Sequence, residues 1–487
     1  MGVKWRRRSH LLVLAPSLAL GAFSVAGTTE VARADEASEI YLVTAAEGQL
    51  AAAHAAVAGA GGEVMAPLEV MDGFVASLPA SSLDDLAAQP SIAGLTLDRV
   101  VTPEWGAMTV APAAYDPWTQ PGSMWNTTQA VGAQDAWAEG YTGAGIGVAV
   151  VDTGMDASHP ALAGKIVAAV DFSGENNPAR DVPGHGTYLG SIIAGNAPGD
   201  IWDAGAFHGV APDAQLVNVK VANAAGATSS VRLMGGLNWI YQNRYDTALN
   251  IRVVNLSFGA PRLDDALADP LAVAVEKLWD AGIVVVVSAG NDGKGQPLLA
   301  PAYDDLVIAV GATDHMGTAD PWDDRVAWFS NSSSVGRTVD VVAPGTGIIA
   351  AAATNSYPTT TAGNLGEGYV RGSGTSQAAA VTSGSIAVLL QQKYWFNPDR
   401  TKRVFELASR WLSYDEWYDQ GNGAVYLEWA RWQRPYGWGQ RWKPKAHGSG
   451  QVVGDTYDDA SATTSRWTTS RWTTSRWTTS RWLSIWE

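Results

Sequence analysis

Short, nearly all-apolar runs return at intervals through this chain, and they constrain its fold more than any other feature. IGVAVVD closes on Asp152, and further runs lie near Ile166, Leu216, Val253, Ile283, Val307 and Val339. Each is short for a buried helix and lacks the polar alternation of a half-exposed strand, so each reads as a strand covered on both faces. Stretches with helical patterning, such as 229–241 and 271–279, separate them. The alternation predicts an α/β domain with a largely parallel central sheet flanked by helices on both faces. In open sheets of that kind chemistry gathers outside the carboxyl ends of the strands, which is where Asp152 stands. A chain of 487 residues can bury the core this requires.

Two distant segments supply partners for that carboxylate. His185 lies between Gly184 and Gly186 and opens a small-to-apolar stretch that runs to 194. Ser376 follows Gly372, Gly374 and Thr375 and opens a longer helical stretch over about 376–391. A serine hydroxyl is a poor nucleophile near neutral pH unless a base within hydrogen-bond reach takes its proton. An imidazole titrates near pH ~6.5, so His185 can accept that proton and later return it to a leaving amine. Asp152 then fixes the imidazole tautomer and stabilises its positive charge. Glycines beside both residues allow close backbone approach, and a helix amino terminus favours developing negative charge.

In these motifs the chain resembles the subtilisin-like serine proteases, the subtilases. The order Asp, His, Ser is the family's order. Further segments agree: GVAPDAQLVNVKV at 209–221, NLSFG at 255–259, SAGND at 288–292, VIAVGATD at 307–314 and FSNSSSVGRTVDVVAPG at 329–345. The resemblance covers roughly 124–431. It implies a subtilisin-like fold and assigns Asn291 as oxyanion donor, although an asparagine beside a glycine is by itself equally a turn residue. It also implies an extended substrate clamped by backbone near Gly226, Ala227, Ser257, Phe258 and Gly259, with Ser288, Ala289 and Gly290 walling the pocket for the residue before the scissile bond. Phe258 and the lack of an acid in these segments suggest an apolar preference there. Departures from the family pattern are Tyr188, Gly190, Ser191, Gln377 and Ala380, none of which removes a catalytic group. Ala161 stands where many relatives carry a calcium-binding aspartate. The chemistry needs no cofactor. A structural calcium is compatible with the resemblance at sites the sequence does not assign, with Asp304, Asp305, Asp323 and Asp324 as candidates against the simpler reading of solvated carboxylates.

The amino-terminal region places this chemistry outside the cell. Lys4 and Arg6 to Arg8 precede an apolar run from Leu11 to about Ala26, and Ala32, Arg33 and Ala34 offer a small-residue cleavage site. Residues 1–34 therefore read as a secretory signal peptide. Residues 35–102 show a βαββαβ order that suits a small α+β, ferredoxin-like domain. They also resemble the subtilase propeptide, of the type that inhibits the protease intramolecularly and helps it fold; a permanent accessory domain is the alternative. Residues 103–123, with several prolines, read as the linker holding the processing site, and 124–432 as the catalytic domain. With no cysteine, neither disulfides nor a cysteine-ligated zinc site is available.

Residues 433–487 form a tail rich in tryptophan and arginine, in which Thr-Thr-Ser-Arg-Trp repeats four times. A period of five matches neither a strand face nor a helix face, so the tail reads as flexible or as ordered only against a partner. A cell-wall or surface ligand and repeat expansion without a role are both open readings. The net charge of −16 argues against nucleic acid. The expected partners are a protein or peptide substrate and the chain's own propeptide, with the protein a monomer, secreted and held at the surface if the tail binds there. The competing reading from another class is a catalytically silent, subtilase-like peptide-binding protein.

Overall fold

The computed structural model describes residues 38–103, 108–110, 116–261, 263, 269–333, 336–361, 368–434 and 452–453. The segment 1–34, expected to be a signal peptide, and nearly all of the tail, its repeats included, lie outside them.

The amino-terminal unit comprises β1 (Ser38–Ala45), α1 (Leu50–Gly59), β2 (Glu63–Leu68), β3 (Gly73–Pro79), α2 (Leu83–Ala87) and β4 (Ile92–Leu97). Its antiparallel strands stand in the order β4-β1-β3-β2. Side chains alternate across a strand, and here both faces are apolar. Tyr41 and Val43 of β1 join Phe74, Ala76 and Leu78 of β3 in a small core with Ala53 and Val57 of α1. Leu42 and Val75, on the opposite face, belong to the main core of the molecule. The sheet therefore lies between its own helices and the larger domain.

The sequence reads as one strand through 92–101, but the chain breaks at Asp98 and Arg99 into β4 and β5 (Val100–Pro103). Both charges are engaged elsewhere. Asp98 Oδ1 accepts from Ser230 Oγ and from the Val231 amide, capping a helix of the larger domain. Arg99 donates to both oxygens of Asp269 at 2.9 and 2.7 Å. After β6 (Met108–Val110) come α3 (Met124–Ala130) and α4 (Ala133–Ala138), then β7 (Gly147–Asp152), β8 (Ile166–Asp171), α5 (His185–Ala194), β9 (Gln215–Lys220), β10 (Thr228–Ser229) and α6 (Ser230–Gln242).

The chain continues through β11 (Ile251–Leu256), β12 (Phe258–Gly259), α7 (Pro270–Asp280), β13 (Val284–Ser288), β14 (Ile308–Asp314), β15 (Arg325–Val326) and β16 (Val341–Pro344). It ends in β17 (Ile348–Ala351), α8 (Tyr357–Thr361), β18 (Tyr369–Gly372), α9 (Thr375–Gln392), α10 (Pro398–Ala408), α11 (Trp417–Gln420), α12 (Leu427–Trp432) and β19 (Val452–Val453), which pairs with β4.

Strands β8-β9-β7-β11-β13-β14 are parallel neighbours, β16 adds in parallel to β14, and only β15 is antiparallel. All six residues of β7 and all five of β13 are buried, as the unbroken apolar runs require. Helix α9 lies across β11, β13, β14 and β16 and packs on α5, while α6 and α7 pack together and against β7 and β13. The α/β architecture expected from the run pattern is the one observed. Among the described residues no helix is long and apolar enough to cross a membrane.

Candidate active site

Asp152 ends β7 and His185 begins α5, and both are fully buried. His185 Nδ1 lies 2.9 and 3.0 Å from the two oxygens of Asp152. A carboxylate only accepts, so Nδ1 carries the proton and Nε2 is the basic end of the ring. Gly186 makes this approach possible, since a Cβ there would sit 2.1 Å from the carbonyl oxygen of Gly154. Any side chain at 186 would push α5 off the end of β7.

A second carboxylate stands behind this pair. Asp181 accepts from Thr153 Oγ1 at 2.7 Å and the Gly184 amide at 2.9 Å on one oxygen. The other accepts from the Thr187 amide at 2.8 Å and its hydroxyl at 2.6 Å. Gly184 has no side chain to cap α5, so Asp181 does it from three residues upstream. Burial pushes the Asp181 carboxyl up, with the charge of Asp152 adding to it, against the lowering effect of its hydrogen bonds. Sequence reasoning passed over this residue, though a lone acid in DVPGHGT was a visible signal.

Ser376 stands in the first turn of α9, fully buried. Asn291 follows β13 by three residues, and its Oδ1 accepts from the Thr375 amide at 2.8 Å. That bond fixes the side-chain oxygen as acceptor and leaves Nδ2 as the end that donates, beside the residue that precedes Ser376. The Thr375 hydroxyl ties the two segments again, accepting from the Gly290 amide at 3.2 Å.

The segments expected to hold a substrate lie at strand ends and turns. Phe258 and Gly259 form β12, Ser288 closes β13, and the Ala289 amide donates to Val310 O before the left-handed turn at Gly290. Gly226 is a left-handed turn residue, and Ala227 bonds back to Asn223; strand pairing begins one residue later, at Thr228. β5 of the amino-terminal unit lies between β10 and β12. It pairs antiparallel with β10, Val101 opposite Thr228, and with β12, Thr102 opposite Gly259 and Pro103 opposite Phe258.

The residues that depart from the family pattern are also placed. Tyr188 is fully buried and donates from Oη to Ile348 O of β17 at 2.7 Å. Ser191 Oγ accepts from the Ala351 amide, again of β17, at 2.9 Å. Gly190 fits under Met155, whose sulfur would lie 2.9 Å from a Cβ there. Gln377 and Ala380 lie buried in the first turns of α9.

No three histidine, aspartate or glutamate side chains among the described residues are placed to hold a metal. The four aspartates raised as calcium candidates have partners within the chain. Asp323 accepts from the Thr318 hydroxyl, and Asp324 is buried beside Arg410. The backbone oxygens of the Asp304–Asp305 loop receive cations of the chain itself. Lys402, 1% exposed, sets Nζ 2.7 Å from Asp305 O, 2.8 Å from Val307 O and 2.9 Å from Asp340 Oδ1. Arg337 donates to both Asp340 oxygens at 2.9 and 2.7 Å and to Asp304 O and Val307 O. Burial opposes ionisation of Asp340, yet these two cations hold its carboxyl at about 2. His159 and His208 bond to neighbouring backbone and side-chain oxygens, in keeping with a structural reading.

Comparison with known proteins points the same way as the geometry. The model of the Subtilase family matches residues 143–439. The chain is 36% identical over 304 residues to serine protease AprX of Bacillus subtilis (strain 168), covering 59% of this chain and 66% of that one. It is 31% identical over 296 residues to subtilisin DY of Bacillus licheniformis, covering 60% of this chain and 92% of that one. Among solved structures it is similar to fervidolysin from Fervidobacterium pennivorans, a keratinolytic enzyme related to subtilisin. That likeness has a TM-score of 0.64 and 25% identity, and it covers 84% of this chain. The chain spans 63% of the fervidolysin chain, so it is short of two thirds of that length and, at 66%, of AprX.

Proposed function

Because the chain belongs to the subtilase family, we propose that it is a secreted serine endopeptidase made as a self-processing zymogen. Ser376 Oγ attacks the scissile carbonyl while His185 Nε2 takes its proton, and the imidazolium that forms is stabilised by Asp152 through Nδ1. Asn291 Nδ2 and the amino terminus of α9 receive the oxygen that becomes negative. His185 then returns the proton to the leaving amine, and water repeats the cycle on the acyl-enzyme.

The zymogen reading rests on one observation above all. β5 enters the catalytic domain as an added strand held on both edges, by β10 and β12, which is how an extended peptide binds for cleavage. The unit that carries β5 is anchored beside it. Asp98 caps α6, Arg99 pairs with Asp269, and the Val70 amide donates to Asn238 of α6. These contacts support an inhibitor that fills the cleft and braces the fold until it is cut away within 103–123. The signal-like segment at 1–34 supports export before that cut.

Incubation of the purified full chain should yield a shortened species whose new amino terminus lies within 103–123, and Ser376→Ala should remain intact. Identical bands from both proteins overturn the protease reading.

A further inference from the structure

The residue just before β5 makes a buried ion pair between the amino-terminal unit and the larger domain. Arg99 Nη2 lies 2.9 and 2.7 Å from the two oxygens of Asp269, and Nη1 donates to Pro261 O at 3.0 Å. Asp269 is fully buried, and the Arg99 side chain is 7% exposed. The acceptors belong to the larger domain alone. Asp269 is the N-cap of α7, where its Oδ1 takes the Leu271 amide at 3.0 Å, and the Tyr303 hydroxyl bonds to it as well. Burial pushes the Tyr303 phenol up, and the charge of Asp269 adds to this, so the hydroxyl keeps its proton as a donor. Pro261 stands two positions beyond Gly259, on the continuation of β12.

We propose, resting on the zymogen reading above, that Asp269 and Pro261 O form a guanidinium-binding site in the processed protein, one that selects an arginine side chain on the acyl side of a substrate. Arg99 occupies this site in the precursor.

The register of β5 fixes where such an arginine falls. Val101 lies opposite Thr228, Thr102 opposite Gly259 and Pro103 opposite Phe258. An extended peptide bound as β5 is bound brings a residue to Asp269 two positions before the one that faces Thr228. Arg99 also stands four positions before Pro103, the last paired residue, so its counterpart in a substrate is the fifth residue from the scissile bond or one further away. Other contacts of the amino-terminal unit lack this continuity with β5. Asp72 meets Lys277 and the Val70 amide meets Asn238, both from the connection between β2 and β3.

When the amino-terminal unit departs, Asp269 loses its cation partner but not the groups that hold it in place. The helix cap and Tyr303 fix the carboxylate, so an incoming guanidinium meets acceptors already in position and little freedom is lost in ordering them. Arginine suits the geometry better than lysine, because its planar fork reaches the carboxylate and Pro261 O together, as Arg99 does.

The test uses the full chain after its own processing, separated from the cut amino-terminal unit, and internally quenched peptides that share one cleavable bond. A single arginine is walked from the third to the eighth residue before that bond, with citrulline, which has nearly the same shape without the charge, as the control at each place. kcat/KM should be about 10-fold higher for arginine than for citrulline at one position, the fifth or further, as expected for charge-assisted hydrogen bonds. Asp269→Asn keeps a residue able to cap α7 and should bring the arginine-to-citrulline ratio at that position to about 1. A gain spread evenly over all positions would reflect attraction to the net charge of −16 and overturns the site, an outcome the parent protein decides even if the variant fails to process. A gain that survives Asp269→Asn overturns it too. In either case Ser376-dependent cleavage leaves the protease reading standing, whereas no cleavage of any peptide overturns both.

Discussion

Two buried carboxylates, Asp152 and Asp340, show how differently one fold can use the same group. Asp340 receives two permanent cations, Lys402 and Arg337, along with the Ala309 amide at 2.8 Å. Asp152 receives the His185 ring and the Thr153 amide and hydroxyl. The first site has its charges balanced in the resting state. In the proposed mechanism the second faces a ring that becomes a cation when it takes the Ser376 proton, so its main electrostatic stabilisation is held back for the reaction. A structural carboxylate is satisfied early, and a catalytic one late.

Asp152→Asn is the strongest way to break the contrast. It should lower kcat by about 10⁴ while leaving the melting temperature unchanged, a magnitude that comes from serine protease triads, subtilisin among them. A fall in stability matching the fall in kcat would give Asp152 the role of Asp340.

Lys402→Met should do the reverse. Removing one partner from a buried ion pair costs about 3 to 5 kcal/mol, to be read from urea unfolding at pH 7, with kcat unchanged on the folded fraction. Loss of kcat without loss of stability would tie the Asp340 cluster to the chemistry.

The smallest effect sharpens the contrast with a third carboxylate. Burial pushes Asp324 up to about 7, against the pull of Arg410. The unfolded carboxyl titrates near ~3.9, so between about pH 4 and pH 7 the folded chain keeps a proton that the unfolded chain has lost. The stability tied to this group is full below pH ~4 and is lost as pH rises through about 7. Asp324→Asn should therefore match the parent near pH 4 and exceed it at pH 8 by no more than about 4 kcal/mol. A stability difference that does not change with pH would show Asp324 charged throughout.

The segments that carry the proposed catalytic residues were legible because each is written locally. A valine run ending in an acid, a histidine between glycines and a serine after a glycine-rich turn are short patterns, and the strands and helices around them formed with their ends moved by one or two residues. The run near Ile283 became β13 from Val284, and the stretch at 376–391 became α9 from Thr375. What stayed hidden depends on pairing at long range. Lys402 meets Asp340 across 62 positions, and Tyr188 meets Ile348 across 160. Nothing near Lys402 in the sequence marks it as an internal cation, and nothing near Tyr188 shows that this departure from the family pattern braces a hairpin. The two-residue strand β10 also stayed hidden, since its pairing is with β5, far away in sequence.

The ammonium of Lys402 sits among carbonyl and carboxylate oxygens in the way a hard metal ion does, but it is covalently leashed to α10. A free ion leaves such a nest whenever the medium runs short of it or a chelator competes for it. A leashed one cannot be diluted away. At this place in the molecule the fold carries its own counter-ion, and its integrity there is set by the chain alone, whatever salts surround it.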